Sequence, residues 1–152
     1  RIQTLYLLIA TILTGSLFFL TMAEMAGNDA YYELTWRGVF QVEADGTTEL
    51  MVPAWALSIL TILSTAVSLI SMFLYKKRMI QIRLCSLNLG LLLGLSAMIF
   101  YMAKTGAREV AAPDLSFNWP LVLPLVSLVL VYLAIRAIGK DEALVRSIDR
   151  IR

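Results

Sequence analysis

The sequence contains no histidine and a single cysteine, Cys85. Histidine is the side chain that most often acts as a general base, so nucleophilic pairs of the Ser/His or Cys/His kind are unavailable. One cysteine cannot form a disulfide within the chain; Cys85 is expected to be a small packing residue, with acylation beside the membrane as the alternative. These absences predict a protein that is not an enzyme and has no catalytic residue, no metal ligand and no cofactor.

Charge is also scarce. Charged residues make up 16% of the chain and hydrophobic residues 59%, against about 25% and about 45–50% in an average soluble domain. The charges leave four uncharged runs of 22, 26, 20 and 21 residues, and a helix needs about 20 apolar residues to cross a hydrocarbon core. We therefore predict a membrane all-α fold, a four-transmembrane-helix bundle that forms one membrane domain over residues 1–152. The spans are predicted at about residues 2–23, 54–75, 84–103 and 119–138.

The few charges are distributed unevenly between the two ends of the predicted bundle. One end carries ten basic and three acidic residues, and the other carries three basic and eight acidic residues. The positive-inside rule places the basic end, and with it both termini, in the cytoplasm. The overall net charge of +2 hides this asymmetry. The basic end is expected to attract the anionic headgroups of the bilayer rather than nucleic acid, because basic clusters beside spans usually determine topology.

The segment between the first two spans has the pattern of a β-hairpin. Polar and apolar residues alternate over residues 32–43, which predicts one strand with a buried face. The following Asp45-Gly46 is a strong hairpin signal, and a three-residue turn there would set Val42 against Leu50. We predict a small extracytoplasmic β-hairpin over about residues 31–52, which is either a recognition surface or a cap on the bundle.

The C-terminal segment differs in composition from the rest of the chain. Residues 139–152 read GKDEALVRSIDRIR, and seven of these fourteen residues are charged. Gly139 is expected to end the fourth span, so that residues from about 141 to 151 form a separate short amphipathic helix in the cytoplasm. One face of that helix carries three apolar side chains, Leu144, Ile148 and Ile151. This face either lies among lipid headgroups or docks another protein.

Two sets of residues are singled out by these patterns. The candidate interaction residues are Leu144, Ile148, Ile151, Arg146 and Arg150 in the C-terminal segment and Tyr32, Trp36 and Phe40 in the hairpin. Small residues at helical spacing are the candidates for helix packing, and they are Ser86, Gly90 and Gly94 in the third span and Ser58, Thr61, Thr65 and Ser68 in the second. The alternative for the second-span stripe is that it lines a polar pathway.

The two ends of the chain carry motifs that are similar to those of a known family. The opening RIQTLYLL and the closing KDEALVRSIDRIR resemble the terminal signatures of bacterial four-span inner-membrane proteins, domain of unknown function 4293. The resemblance implies a multi-pass protein of the bacterial inner (cytoplasmic) membrane with both termini inside, and it implies no activity. In architecture alone the predicted chain is also similar to claudin-like proteins, although the paired cysteines of their first outer loop are absent here.

Three functions are compatible with these features. The first is a non-enzymatic accessory or scaffold subunit of an inner-membrane assembly, which docks a protein partner in the membrane through the hairpin and the basic C-terminal helix. The second is a pore or facilitator for a small neutral solute, lined by the second-span stripe. The third is a membrane enzyme acting on lipid-linked substrates. The absence of charged side chains deep within the spans counts against the second and third functions and against ion-coupled transport.

Overall fold

The computed structural model describes residues 2–27 and 30–149, which form four α-helices and a five-stranded β-sheet. The helices are α1 Ile2–Ser16, α2 Trp55–Phe73, α3 Arg78–Glu109 and α4 Leu123–Asp149. The strands are β1 Ala23–Ala26, β2 Tyr31–Thr35, β3 Gly38–Val42, β4 Thr48–Pro53 and β5 Asp114–Phe117. A short 3-10 helix, Trp119–Val122, leads into α4 and has Pro120 in its first turn, where a missing N–H costs no hydrogen bond.

Three of the helical segments in the described chain are long and apolar enough to cross a membrane: α2, α3, and Trp119–Ser147, which includes most of α4. The first helix is apolar but has only 15 residues, a length of about 22 Å at 1.5 Å per residue. Its turns continue past Ser16 through tighter bonds, and the Phe19 N–H donates to the Ser16 carbonyl at 3.0 Å. Three of the predicted spans therefore correspond to helices with the length and hydropathy of a membrane span, and a fourth span stays a prediction.

The four helices form a ring in which α1 and α3 each contact both α2 and α4. Apolar side chains from all four helices fill the interior; those with 0% exposure include Leu7, Leu57, Leu92, Leu95, Ile99, Val131 and Ile138. The sheet covers the end of the bundle where α2 and α4 begin, which we call the sheet end. The opposite end, where α3 begins, holds the cluster Lys76, Lys77, Arg78, Arg83, Arg136 and Lys140, and we call it the basic end.

The sheet is larger than the predicted hairpin, because it combines four strands that precede α2 in the chain with one strand that follows α3. The strand order is β4-β3-β2-β1-β5 and all neighbours are antiparallel. One face carries Met25, Leu34 and Val39, all with 0% exposure. This face rests on the last turns of α3, where a Cβ added at Gly106 would lie 2.7 Å from Val39 Cγ2. The helix and sheet approach so closely there because Gly106 has no side chain.

The prediction of one strand over residues 32–43 is wrong, because a two-residue turn at Trp36-Arg37 divides it into β2 and β3. Gly38 follows that turn with φ +150°, and any Cβ at this position would collide with the Val52 carbonyl oxygen. The turn shifts the alternation by one residue, so that Leu34 pairs with Val39 on the helix-facing side. Glu33 and its partner Phe40 consequently lie on the other face.

The predicted register of the next hairpin is also wrong. Val42 pairs with Thr48 instead of Leu50, and Leu50 pairs with Phe40. The loop does contain three residues, but they are residues 44–46, because the Glu43 N–H donates to the Thr47 carbonyl at 2.9 Å and closes the loop one residue earlier than predicted. A bulge between the Val39 and Phe40 pairs then restores the alternation.

The predicted break at Gly139 does not occur, and α4 continues as one helix to Asp149. A glycine within a helix costs only about 1 kcal/mol relative to alanine, and the good helix formers after Gly139 offset that cost. The Arg78 guanidinium also donates to the Asp141 carbonyl at 3.2 Å, which fixes the continuation against the start of α3. Arg150 and Ile151 lie outside the described residues, as does the side chain of Ile148.

Candidate functional site

A groove of about 570 Å³ lies at the sheet end beside the turn between β2 and β3. We call it the sheet-end groove, and its main side chains are Phe18, Phe19, Glu33, Trp36, Arg37 and Phe40. Phe18 meets Trp36 edge-on with ring centroids 5.0 Å apart, and the Arg37 guanidinium lies 4.9 Å from the Trp36 ring centre. The groove therefore combines aromatic surface with one cation and one carboxylate, which suits a ligand that is itself amphipathic.

The turn that carries Trp36 and Arg37 is fixed to the first turn of α2. The Ser58 hydroxyl donates to the Trp36 carbonyl at 2.8 Å, and the Ala54 N–H donates to the Arg37 carbonyl at 3.0 Å. Ser58 was predicted as a helix-packing residue, and it instead joins the helix to the sheet. Because both carbonyls of the turn are bonded, the two side chains keep a defined position in the groove.

Several large aromatic side chains around the sheet end are exposed. Phe19 is 90% exposed, Trp55 is 72% exposed and Trp119 is 67% exposed. These residues lie at the ends of the apolar helices, where aromatic rings are enriched at the boundary between hydrocarbon and headgroups. Their exposure is therefore the expected arrangement for a protein with the sheet above a membrane surface.

Two carboxylates face each other on the sheet face that carries Phe40. Glu24 on β1 pairs directly with Glu33 on β2, and such like-charged neighbours need other partners. The Thr21 hydroxyl donates to Glu33 Oε2 at 3.2 Å, and the Asn118 amide donates to Glu24 Oε1 at 2.7 Å. The latter bond joins the segment after β5 to β1.

The environment of these carboxylates shifts two pKa values in opposite directions. Hydrogen bonds from the Tyr31 hydroxyl and then from the Asn118 amide lower the pKa of Glu24. Partial burial, followed by the hydrogen bond and charge of Glu24, raises the pKa of Tyr31 to about 12. Glu24 is therefore anionic and Tyr31 neutral throughout the physiological pH range.

The structure brings only two of the three predicted hairpin residues together. Trp36 and Phe40 both line the sheet-end groove, whereas Tyr32 packs against the core beneath the opposite face. The sequence reasoning missed Phe18 and Phe19, because both lie inside an uncharged run that reads as a transmembrane span. The position of Arg37 directly after Trp36 in the sequence was the signal that could have found the cation–π pair.

At the basic end, the last turns of α4 are linked to α3 by one side chain. Arg78 Nη1 lies 3.8 Å from Glu142 Oε2, and Arg146 Nε lies 3.2 Å from Glu142 Oε1. Leu144 and Val145 extend beyond this ion pair and are 62% and 42% exposed. The predicted interaction residues Leu144 and Arg146 thus lie on a part of α4 that projects from the bundle. We call the segment of α4 from residue 140 onward the tail of α4.

A protein-family model described as a domain of unknown function (DUF4293) matches residues 1–151. The chain belongs to the DUF4293 family. Comparison with curated proteins finds no match. The family match confirms the resemblance of the terminal motifs and covers both the sheet and the helices, so sheet end and basic end belong to one DUF4293 unit.

In this DUF4293 chain the small residues of the second span are buried against neighbouring helices. Thr61 and Ser68 have 0% exposure, and the Asn88 amide of α3 donates to the Ser68 hydroxyl at 2.6 Å. Thr65 faces α1, and a Cβ added to Gly15 of that helix would lie 3.9 Å from Thr65 Cγ2. These contacts are those of a helix-packing surface.

The small residues of the third span are placed differently from the prediction. Ser86 and Gly90 lie on the exposed side of α3, and a Cβ on Gly90 would meet no atom within 4 Å. Gly94 makes only a loose approach, 4.0 Å from Leu60 Cδ2. The buried side of α3 is instead the row of Gln81, Cys85, Asn88, Leu92, Leu95 and Ile99. Larger side chains thus fill the contacts that small residues were predicted to make.

Proposed function

We propose that the chain is a non-enzymatic accessory or scaffold subunit of a bacterial inner-membrane assembly, and that it binds its partner mainly through the tail of α4. The observation that carries the proposal is the exposure of Leu144 and Val145 on a helix that the Arg78–Glu142 contact links to α3. These side chains expose apolar surface to water, and the binding of a partner protein would bury that surface.

The proposal includes a topology in which four helices cross the membrane with both termini in the cytoplasm. Support comes from the charge asymmetry of the sequence, in which the segments predicted on the cytoplasmic side carry ten basic residues and those predicted on the other side carry eight acidic ones. The first helix is lengthened by the tight turns after Ser16. In addition, a short helix can span a bilayer that thins locally around it.

The sheet-end groove is proposed as the second docking surface. Its turn is bonded to α2 through Ser58 and Ala54, so binding there requires little ordering of the protein. Arg37 and Glu33 flank its aromatic surface, which favours a peptide segment with an apolar residue between two opposite charges. The tail and the groove therefore allow contacts with partners on both sides of the membrane.

The alternative of a solute pore receives no support from the second-span stripe. Its members Thr61 and Ser68 are fully buried, and Ser68 is hydrogen-bonded to Asn88. A stripe used for packing against α1 and α3 is not available to line a wet pathway. We therefore keep the scaffold function as the single proposal.

The test is purification of the tagged full-length chain from native membranes in a mild detergent, followed by mass spectrometry of the proteins that remain bound. We expect a stoichiometric partner that is lost in Leu144→Asp, because a charge replaces the apolar contact. The matched control is Ala143→Asp, which adds the same charge at the preceding residue, whose side chain is also exposed. It should retain most of the partner.

Two results would contradict the proposal. One is recovery of the wild-type chain alone after crosslinking in intact cells, since a scaffold must have a bound neighbour. The other is equal loss of the partner in Leu144→Asp and Ala143→Asp, which would show a response to charge instead of a response to the apolar side chain.

A further inference from the structure

A second groove, of about 340 Å³, lies at the basic end between the first turns of α1 and the middle of α4. Its apolar wall consists of Ile2 and Tyr6 from α1 and Leu133 from α4. Its polar side carries Arg136 and Lys140, one helical turn apart on the same face of α4. We call this the basic-end groove, and its volume is within the range of small-ligand sites.

The groove runs across the boundary between apolar and charged sequence. Arg136 is the first charged residue after the uncharged run of residues 115–135. Leu133 precedes Arg136 by about one turn of helix, and Lys140 follows it by about another, so the three side chains span about 10 Å along the helix axis. A ligand in this groove therefore meets apolar side chains at one end and cations at the other, in the order in which a phospholipid presents its acyl chains and its phosphate.

The charges of the groove favour an anion. Arg136 and Lys140 supply two positive charges, and Asp141, which also lines the groove, supplies one negative charge. The ion pairs among the described side chains involve Arg78, Arg146 and Glu142, so both groove cations are available to a ligand. The net charge of +1 matches a phosphodiester, and the Asp141 carboxylate can accept hydrogen bonds from headgroup hydroxyls.

We propose that the basic-end groove is a binding site for one anionic phospholipid of the adjacent leaflet, with its phosphodiester held by Arg136 and Lys140 and an acyl chain against Leu133 and Tyr6. Basic pockets between helices at a membrane surface commonly select anionic headgroups. The site shares Lys140 and Asp141 with the tail of α4, but it lies on the α1 side of α4 and does not include the docking residues Leu144 and Val145.

The neighbouring basic surface lacks this combination. Lys76, Lys77 and Arg78 border a groove of about 550 Å³ on the α3 side of α4, but Arg78 is already paired with Glu142 and bonded to the Asp141 carbonyl. Lys76 lies over the Tyr75 ring at 6.0 Å. Lys76 and Lys77 carry the same charge as the two groove cations, Arg136 and Lys140, at the same end of the bundle, so they provide a matched control.

The test uses the full chain purified in a mild nonionic detergent. Native mass spectrometry would measure retention of phosphatidylglycerol, phosphatidylethanolamine and phosphatidylcholine with identical acyl chains. We expect one phosphatidylglycerol per chain and weaker binding of the two zwitterionic lipids. Arg136→Gln with Lys140→Gln should weaken phosphatidylglycerol binding about 30-fold, since each surface cation contributes about 1 kcal/mol and 1.4 kcal/mol is a factor of ten.

Two further variants keep the test decisive. Lys76→Gln with Lys77→Gln removes the same amount of charge from the neighbouring surface. Its affinity for phosphatidylglycerol should stay within about twofold of the wild-type value, well below the tenfold change that corresponds to 1.4 kcal/mol. Ala137→Trp fills the groove without changing its charge and should reduce binding even if the charge variant does not fold. Circular dichroism and gel filtration would report folding for every variant.

Several outcomes would overturn the proposal. Equal loss in both double-glutamine variants would show a diffuse basic surface. Equal retention of the three lipids, or binding that Ala137→Trp leaves unchanged, would show that the groove does not select a headgroup. Displacement of the lipid by millimolar inorganic phosphate or glycerol phosphate would identify a site for a soluble anion.

Discussion

The sheet end and the basic end of the bundle are held together by different kinds of contact. At the sheet end, backbone hydrogen bonds join segments from both sides of α2 and α3 into one five-stranded sheet. At the basic end, α3 and the tail of α4 meet through the side chain of Arg78. Backbone pairing fixes many residues at once, whereas a partly exposed ion pair contributes about 1 kcal/mol or less.

This difference suits the two proposed docking surfaces to different partners. The sheet-end groove keeps its shape because the Trp36-Arg37 turn is bonded to α2, so it selects a ligand that fits. The tail of α4 can change direction at the cost of one ion pair and one hydrogen bond of Arg78, so it can adjust to a partner as it binds. The four predictions that follow test this contrast, from the largest expected effect to the smallest.

Gly38→Val should have the largest effect, because a Cβ at this position collides with the Val52 carbonyl and the backbone has φ +150°. We expect a loss of about 3 kcal/mol in the free energy of unfolding in detergent. The control is Gly46→Val, where φ is +85° and a Cβ would meet nothing within 4 Å; it should cost only the backbone strain of about 1–2 kcal/mol. Equal losses would mean that the close approach to β4 does not stabilise the sheet end.

Gly106→Ala tests the junction between the sheet and α3. The added Cβ would lie 2.7 Å from Val39 Cγ2, so we expect a net loss of about 1 kcal/mol after the helix-forming advantage of alanine is included. Val39→Ala should remove the clash, so the double variant should be more stable than the sum of the two single changes predicts. Thermal unfolding in detergent measures all three.

Gly90→Ala is the control for that junction, because a Cβ on Gly90 would meet nothing within 4 Å. It should be neutral or stabilising by up to about 1 kcal/mol. Additive effects of Gly106→Ala and Val39→Ala would contradict the direct contact between helix and sheet.

Arg78→Gln should loosen the basic end without affecting the sheet. We expect a change of about 1 kcal/mol or less in the free energy of unfolding. Faster amide hydrogen exchange in the tail of α4 should accompany it, because the contacts to Asp141 and Glu142 are lost. Arg146→Gln removes the other partner of Glu142, which lies on the same helix, and should change exchange less. Equal changes would show that Arg78 is not the link between α3 and the tail.

The membrane helices were the most predictable part of the fold, because long uncharged runs have few alternatives in a chain of this length. The second span was predicted at residues 54–75 and the helix runs from Trp55 to Phe73. The end of α4 was mispredicted because the rule that glycine ends a helix was applied to Gly139 alone. Arg78 and Asp141, which are in contact at this end, lie 63 residues apart in the sequence, so no local pattern reveals their contact.

The sheet was only partly predictable, for a related reason. Strands β1 and β5 have four residues each, too few for a clear alternation, and they pair across about 90 intervening residues. The turn at Trp36-Arg37 lacks the Asn-Gly or Asp-Gly signal of a two-residue loop. That missed turn exchanged the faces of the sheet, so Phe40 lines the sheet-end groove and Tyr32 packs against the core on the opposite face.

Lowering the pH should weaken the sheet end by a small amount. The pKa of Glu24 is lowered in the folded state by the Tyr31 and Asn118 hydrogen bonds. The carboxylate therefore stabilises the fold above its unfolded pKa, and this contribution is lost as the pH falls through the folded pKa. Hydrogen exchange of the β1 and β5 amides should increase over that acidic range in the wild type. Glu24→Gln should remove most of this dependence, whereas Glu49→Gln, on the exposed edge strand β4, should keep it. If Glu24→Gln kept the full pH dependence, the Glu24 carboxylate would not be the group that joins the Asn118 segment to β1.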